Sequence, residues 1–157
     1  MRIIEKFREF LDFNLWANDL LLQNLSSSES EDKEVIKIFG HILLAEREWF
    51  KRFAENKTDA TGADFWETAK VEDCQKLFAG NKRYYQNFFA GLTEEKLCSK
   101  TKYKNSKGQE FTNTLDEVLS HVFFHSAQHR GQIIKIIRAN GETPPYIDFI
   151  GFLRSKS

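Results

Sequence analysis

The sequence predicts an all-α chain: a four-helix bundle with a short β-hairpin or extended insertion before the fourth helix. Three observations carry this. Four long stretches repeat apolar residues at helical spacing. The only prolines, Pro144 and Pro145, sit together near the C-terminus, so no helix-breaking ring interrupts what precedes them. One segment, "SKTKYKNSKGQEFTN", alternates as a strand would around the turn-forming "NSKG".

The first helix is expected from Arg2 to Leu25, where Ile3, Phe7, Phe10, Leu11, Asn14, Ala17, Leu21 and Leu25 share one face. "LSSSESED" breaks that pattern, and Ser28 with Glu31 has the spacing of a capping box. A second helix follows from about Glu29 to Glu55, turning Val35, Ile38, Phe39, Ile42, Ala45 and Trp49 inward. "ENKTDATGAD" is a polar loop. A third helix spans about Thr68 to Leu92 with Val71, Leu77, Phe78, Tyr85 and Phe88 inward, and "TEEKL" continues it as a ragged last turn. Thr101, Tyr103 and Phe111 mark the hairpin or extended excursion. Thr114 with Glu117 is a second capping box, opening a fourth helix that ends near Ala139, where "NG" supplies a left-handed stop. "ETPPYIDFIGFL" reads as a short tail that packs its Tyr, Ile and Phe on the bundle.

The bulk numbers narrow the function classes. A length of 157 residues fits one domain, 1–157, and a chain 41% hydrophobic with 15 phenylalanines can fill a core. Lys plus Arg and Asp plus Glu both number 23, so the net charge is zero and the basic excess of a nucleic-acid binder is missing. No apolar run is long enough for a membrane span, and the acid-studded N-terminus lacks the apolar core of a signal peptide. Two cysteines, Cys74 and Cys98, are too few for a disulfide framework and have no local basic neighbour pair of the reactive type, which points to inert thiols in a cytoplasmic protein.

The chemistry concentrates in "HVFFHSAQHRGQI", residues 121 to 133, which holds three of the four histidines at four-residue intervals. On a helix, residues four apart are about 6 Å apart along the axis and about 40° around it. His125 and His129 can therefore share one ion, as can His121 and His125, but His121 and His129 are about 12 Å apart and cannot. A third ligand has to come from elsewhere, and His41, on the inward stripe with Ile38, Ala45 and Trp49, is the other histidine available. The competing reading is a packed polar seam or a row of surface histidines. The HExxH pattern of zinc proteases is absent.

That run, with "FNLWANDLLLQNL", "FGHILLAEREWF" and the closing "GETPPYIDFIGFL" in the same order, resembles the DinB-like (DNA-damage-inducible) metal-binding four-helix-bundle family, including its thiol-transferase-related branch. The resemblance spans nearly the whole chain, and HxxxHRGQ is its most specific element. It implies His41, His125 and His129 as the metal ligands, with His121 as a neighbour rather than a ligand. It also implies a homodimer and a small-molecule substrate, a low-molecular-weight thiol first among the candidates.

Three neutral imidazoles would leave a divalent ion with an open position, the design of a catalytic rather than a structural site. Zinc and nickel lead the candidates, with iron, copper, cobalt and manganese behind them. Thiol transfer, hydrolysis and a non-catalytic metal-binding stress-response or interaction role all remain open at this point. Gln128 and Gln132 are candidate partners for a ring N–H. Asn14 and Asn18 are either pocket residues or interhelical hydrogen-bonders. Arg130 points about 100° away from His129 and is expected to pair with Glu46 or Glu48. Gly131 is expected to allow close helix packing, and Trp16 and Trp49 to be core.

Overall fold

The computed structural model describes residues 2–28 and 32–157. Its elements are α1 (Ile3–Ser27), α2 (Lys33–Ala54), α3 (Val71–Ala90), α4 (Glu94–Leu97), β1 (Lys100–Lys104), β2 (Glu110–Thr114), α5 (Leu115–Ala139) and α6 (Phe149–Ser155). The four long helices form the bundle, and the antiparallel β1–β2 hairpin precedes α5 with Tyr103 opposite Phe111. No helix among the described residues is long and apolar enough to cross a membrane.

Helix ends follow local chemistry. The α2 N-cap is Asp32, whose carboxylate accepts from Glu34 N and Val35 N at 2.9 and 3.1 Å. This places the start of α2 beyond the expected Glu29. Of the expected Ser28–Glu31 box, Glu31 lies outside the described residues, and Ser28 is the C-cap of α1. The Thr114–Glu117 box forms as expected, with Glu117 accepting from Thr114 N at 2.9 Å. Gly141, at φ 79°, closes the end of α5 in the left-handed conformation that a side chain would disfavour. "TEEKL" does not prolong α3. Thr93 caps Lys96 N instead, and a separate turn, α4, forms.

The direction of each helix can be read from its end contacts. Asp32 at the start of α2 accepts from Asn140 at the end of α5, so those helices run antiparallel. Gln75 near the start of α3 donates to Ser26 at the end of α1, and Cys74 lies against Ile36 of α2. Helices α2 and α3 therefore run parallel, and the segment 55–70 between them has to travel back along the bundle. At the opposite end, Ile4 N donates to Glu94, beside the short route through α4 and the hairpin into α5.

The core is in two apolar parts. One gathers Phe7, Leu11, Phe50, Tyr85, Leu119 and Phe123, and the other Leu21, Phe39, Ile42, Phe78, Ile133 and Ile137. Ile4 replaces the expected Ile3, which is exposed, because the α1 stripe is turned by one residue at its start. On α3 the buried stripe is Cys74, Phe78, Asn81, Tyr85 and Phe89, with Leu77 and Phe88 only partly buried. Trp16 packs on Phe152 of α6, 5.6 Å between ring centres, and Phe149 meets Phe13 edge-on. Tyr146 and Ile150 of the closing tail stay exposed.

Between the two apolar parts lies a polar centre to which all four long helices contribute. Glu46, 1% exposed, accepts from Asn14 Nδ2 at 2.7 Å, Ser126 Oγ at 2.7 Å, Tyr85 Oη at 3.0 Å and Asn18 Nδ2 at 3.2 Å. Arg130 does not make the expected direct pair with Glu46 or Glu48. Its Nη1 donates to the amide oxygens of Asn14 and Asn18 at 2.6 and 2.9 Å, and the two asparagines bridge cation to anion. Each amide offers its oxygen to the guanidinium and its NH2 to the carboxylate, so both buried charges are hydrogen-bonded. Burial pushes the Arg130 guanidinium down to about 10, with the Glu46 charge opposing it.

Two outcomes follow for stability. Glu46→Gln places an NH2 where the carboxylate receives four side chains. It should cost about 3 kcal/mol or more in urea unfolding, because the Arg130 charge is left without its counterpart. Asp32→Ala should cost about 1 kcal/mol, as for a lost N-cap. The Asn140 hydrogen bond, then the helix N–H groups, hold Asp32 below its usual 3.8. Its contribution is thus present above that pH and fades as pH falls through the lower folded value, so the variant's acid unfolding curve should be flatter there.

Candidate metal centre

The histidines that were far apart in sequence meet at the α2–α5 face. His125 Nε2 lies 3.2 Å from His41 Nε2 and 3.1 Å from His129 Nε2, and the ligand atoms of the three are all within 4.8 Å of one another. The polar centre accounts for this placement. Ser126 and Arg130 follow His125 and His129 directly, and their inward bonds rotate α5 so that both imidazoles turn to α2. Glu46, five residues after His41, fixes the matching register on α2.

The outer ring nitrogens are held as well. His41 Nδ1 donates to Phe65 O at 3.1 Å; a carbonyl can only accept, so the proton sits on Nδ1 and the Nε2 lone pair faces the cluster. His129 Nδ1 donates to Gln132 Oε1 at 2.8 Å with the same effect. Such outer partners orient metal-binding imidazoles. Burial, then the charges of His129, His41 and His121, push His125 down to about 4, and burial also lowers His41. Both are therefore neutral near pH 7, the form that donates a lone pair. Zinc–nitrogen bonds of about 2.0–2.1 Å in a tetrahedral set separate neighbouring nitrogens by about 3.3 Å, close to the two spacings that His125 makes, 3.2 Å to His41 and 3.1 Å to His129. The three-histidine group could hold a metal ion.

The long return segment builds the roof. Trp66 stacks flat on His41, 3.7 Å between ring centres and 4° between planes. Thr68 rests directly on Gly40, where a Cβ would collide with its side chain. The segment is laced to the hairpin by Lys104 N to Thr58 O at 2.8 Å and Gly62 N to Ser106 O at 3.0 Å. Between hairpin, return segment and α2 lies a cavity of about 280 Å³, reached by His41, His125, Glu48, Trp49, Arg52 and Tyr103 among others.

The other sequence candidates fall in different places. Gln132 is beside His129, as above. His121 is exposed on α5, edge-on to Trp49 with ring centres 5.3 Å apart, and its ring centre is 5.6 Å from that of His125. Gln128 is exposed. Asn14 and Asn18 belong to the polar centre. Gly131 is exposed, and a methyl group in place of its hydrogen would meet nothing within 4 Å, so it mediates no helix packing. Cys74 is fully buried and pushed up to about 12 by that burial, in keeping with an inert thiol.

Phe65, Trp66 and Arg52 were missed by the sequence reading. The first two sit in a loop with no periodicity to orient them. Arg52 did carry a signal, because it continues the inward stripe of Ala45 and Trp49 as a lone charge.

Fold and site together define a class: a helical bundle with a hairpin insertion and three convergent imidazoles suited to a metal ion. The chain belongs to the DinB family, whose model matches residues 5–156. It is also similar to Protein DinB of Bacillus subtilis (strain 168), 24% identical over 153 aligned residues that cover 88% of each chain.

Gly40→Ala should push Thr68, and the roof with it, away from α2. The expected result is a loss of about 1–3 kcal/mol in stability, as for other overpacked contacts, with a red-shifted tryptophan emission as Trp66 leaves His41. Unchanged stability and emission would show that the roof is not seated through Gly40.

Proposed function

We propose that the protein is a divalent-metal-dependent enzyme acting on a small molecule, with transfer of a low-molecular-weight thiol as its reaction. The observation that carries this is the convergence of His41, His125 and His129, two of which reach an adjoining cavity of small-molecule size. These three residues would hold the ion, zinc or nickel first. When bound, it supplies Lewis acidity that lowers the pKa of a thiol or water beside it. His41 and His129 are kept in the ligating tautomer by Phe65 O and Gln132, and Trp66 shields one face of His41 from water. In the transfer, a thiol RSH gives its proton to solvent, its sulfur forms the bond to an electrophilic carbon, and the leaving group departs with the bonding pair. The exposed residues Phe124 and Ile150 are candidates for a homodimer contact, and a cytoplasmic setting suits a reduced thiol substrate.

Elemental analysis of untagged protein should find close to one equivalent of metal per chain. His125→Ala should lower that at least tenfold while far-ultraviolet circular dichroism stays unchanged. Zinc- or nickel-loaded protein should then turn over in a panel of small thiols and electrophiles, and His125→Ala should not. Metal-free protein after reconstitution would overturn the metal site. Full metal content with thiol-independent turnover would overturn thiol transfer in favour of hydrolysis, and full metal content with no turnover would favour a binding role.

A further inference from the structure

Arg52 carries a buried charge that its neighbours among the described residues do not pair. It is 4% exposed, and its Nε is buried without a hydrogen-bond partner. Among the described residues no hydrogen bond or ion pair reaches its guanidinium. Its carbon stands 4.1 Å from the Trp49 ring centre and 5.0 Å from that of Tyr103. Stacking of this kind satisfies the π face of a guanidinium and holds it still, but leaves its N–H edge without an acceptor. Glu48, one turn back on α2, acts on it only at longer range. The end of α2 adds a favourable dipole, again without an acceptor. Native proteins rarely leave a buried N–H unpaired, and here the same side chain lines the cavity that His41 and His125 reach.

We propose that Arg52 anchors the carboxylate of a small acidic ligand in this cavity. The inference rests on the reading of that cavity as the substrate site. A carboxylate matches the guanidinium fork with two parallel hydrogen bonds. One cation, with Glu48 on the same wall, suits a singly charged group better than a phosphate dianion. A volume of about 280 Å³ lies at the low end of small-molecule pockets and suits a ligand of about a dozen heavy atoms or fewer. The ligand's other end would lie toward His41 and His125, so Arg52 would select acids and set their orientation, while the histidines handle the reacting end.

The probes are 3-mercaptopropionate and its neutral isostere 3-mercaptopropionamide, titrated into the full-length protein in metal-free and zinc-loaded forms. The Arg52 Nε–H resonance, assigned by its loss in Arg52→Lys, reports contact, and tryptophan fluorescence reports affinity in every variant. The acid should bind at least tenfold more tightly than the amide and shift the Arg52 resonance saturably. Arg52→Met should cut the acid preference below twofold, and Arg52→Lys, which keeps the charge but not the fork, below fivefold. Equal affinities of wild type for acid and amide, or an undiminished preference in either variant, would overturn the proposal. If Arg52→Met does not fold, wild type and Arg52→Lys decide. Metal content is measured on the same samples: uptake of zinc without acid preference counts against Arg52 alone, and acid preference without zinc uptake counts against the metal site alone.

Discussion

The buried Glu46 carboxylate is the constraint on which the rest of the structure depends. It sits at the crossing point of four helices, and α1, α3 and α5 each donate to it. An apolar bundle can slide or rotate by a residue at modest cost, because oily surfaces are interchangeable. A buried anion cannot, because each lost donor leaves a desolvated charge less compensated. The pair Asn14 and Asn18 extends the demand to Arg130, so the rotation of α5 is set by two hydrogen-bonded contacts a turn apart. The histidines at 125 and 129 are the residues just before those contacts. Their orientation toward His41 is a consequence of the polar centre.

A second constraint is topological. Helices α2 and α3 run parallel, locked by Arg47 to Asn81 at 2.9 Å and Asn81 to Leu43 O at 2.8 Å. Parallel neighbours cannot be joined by a tight turn, so residues 55–70 must cross the bundle's length. That crossing brings Phe65 and Trp66 over His41 and offers backbone edges to the hairpin. The site therefore has a rigid floor of helix and a roof of loop and hairpin, the arrangement in which a scaffold positions chemistry and loops shape access. Trp49 and Tyr103 complete the wall and pin Arg52 in place.

Much of this was legible in the chain. The Thr114–Glu117 box, the Gly141 stop, the His125–His129 pair and the inward stripe of α2 all rest on contacts within a few residues, and the 3.6-residue period reports these directly. The period was less sure on α3, whose buried face includes Asn81 and Cys74: a polar and a small residue on an inner stripe do not announce themselves by hydrophobicity. The direct pairing of Arg130 with Glu46 or Glu48 that was expected gave way to bridging amides, because two asparagines one turn apart on α1 fill the space between Arg130 and Glu46.

What the sequence by itself determined is local: the start and stop of α5, the inward face of α2, and that two imidazoles on α5 can share one ion. Only the tertiary structure decided that His41 meets them, that Trp66 covers that meeting, and that Arg52 lines a cavity with no hydrogen-bond acceptor for its Nε among the described residues. The physical reason is that helical spacing is written in successive residues. The register between segments eighty residues apart is set by which buried polar groups must satisfy one another, and by the path the chain must take to return.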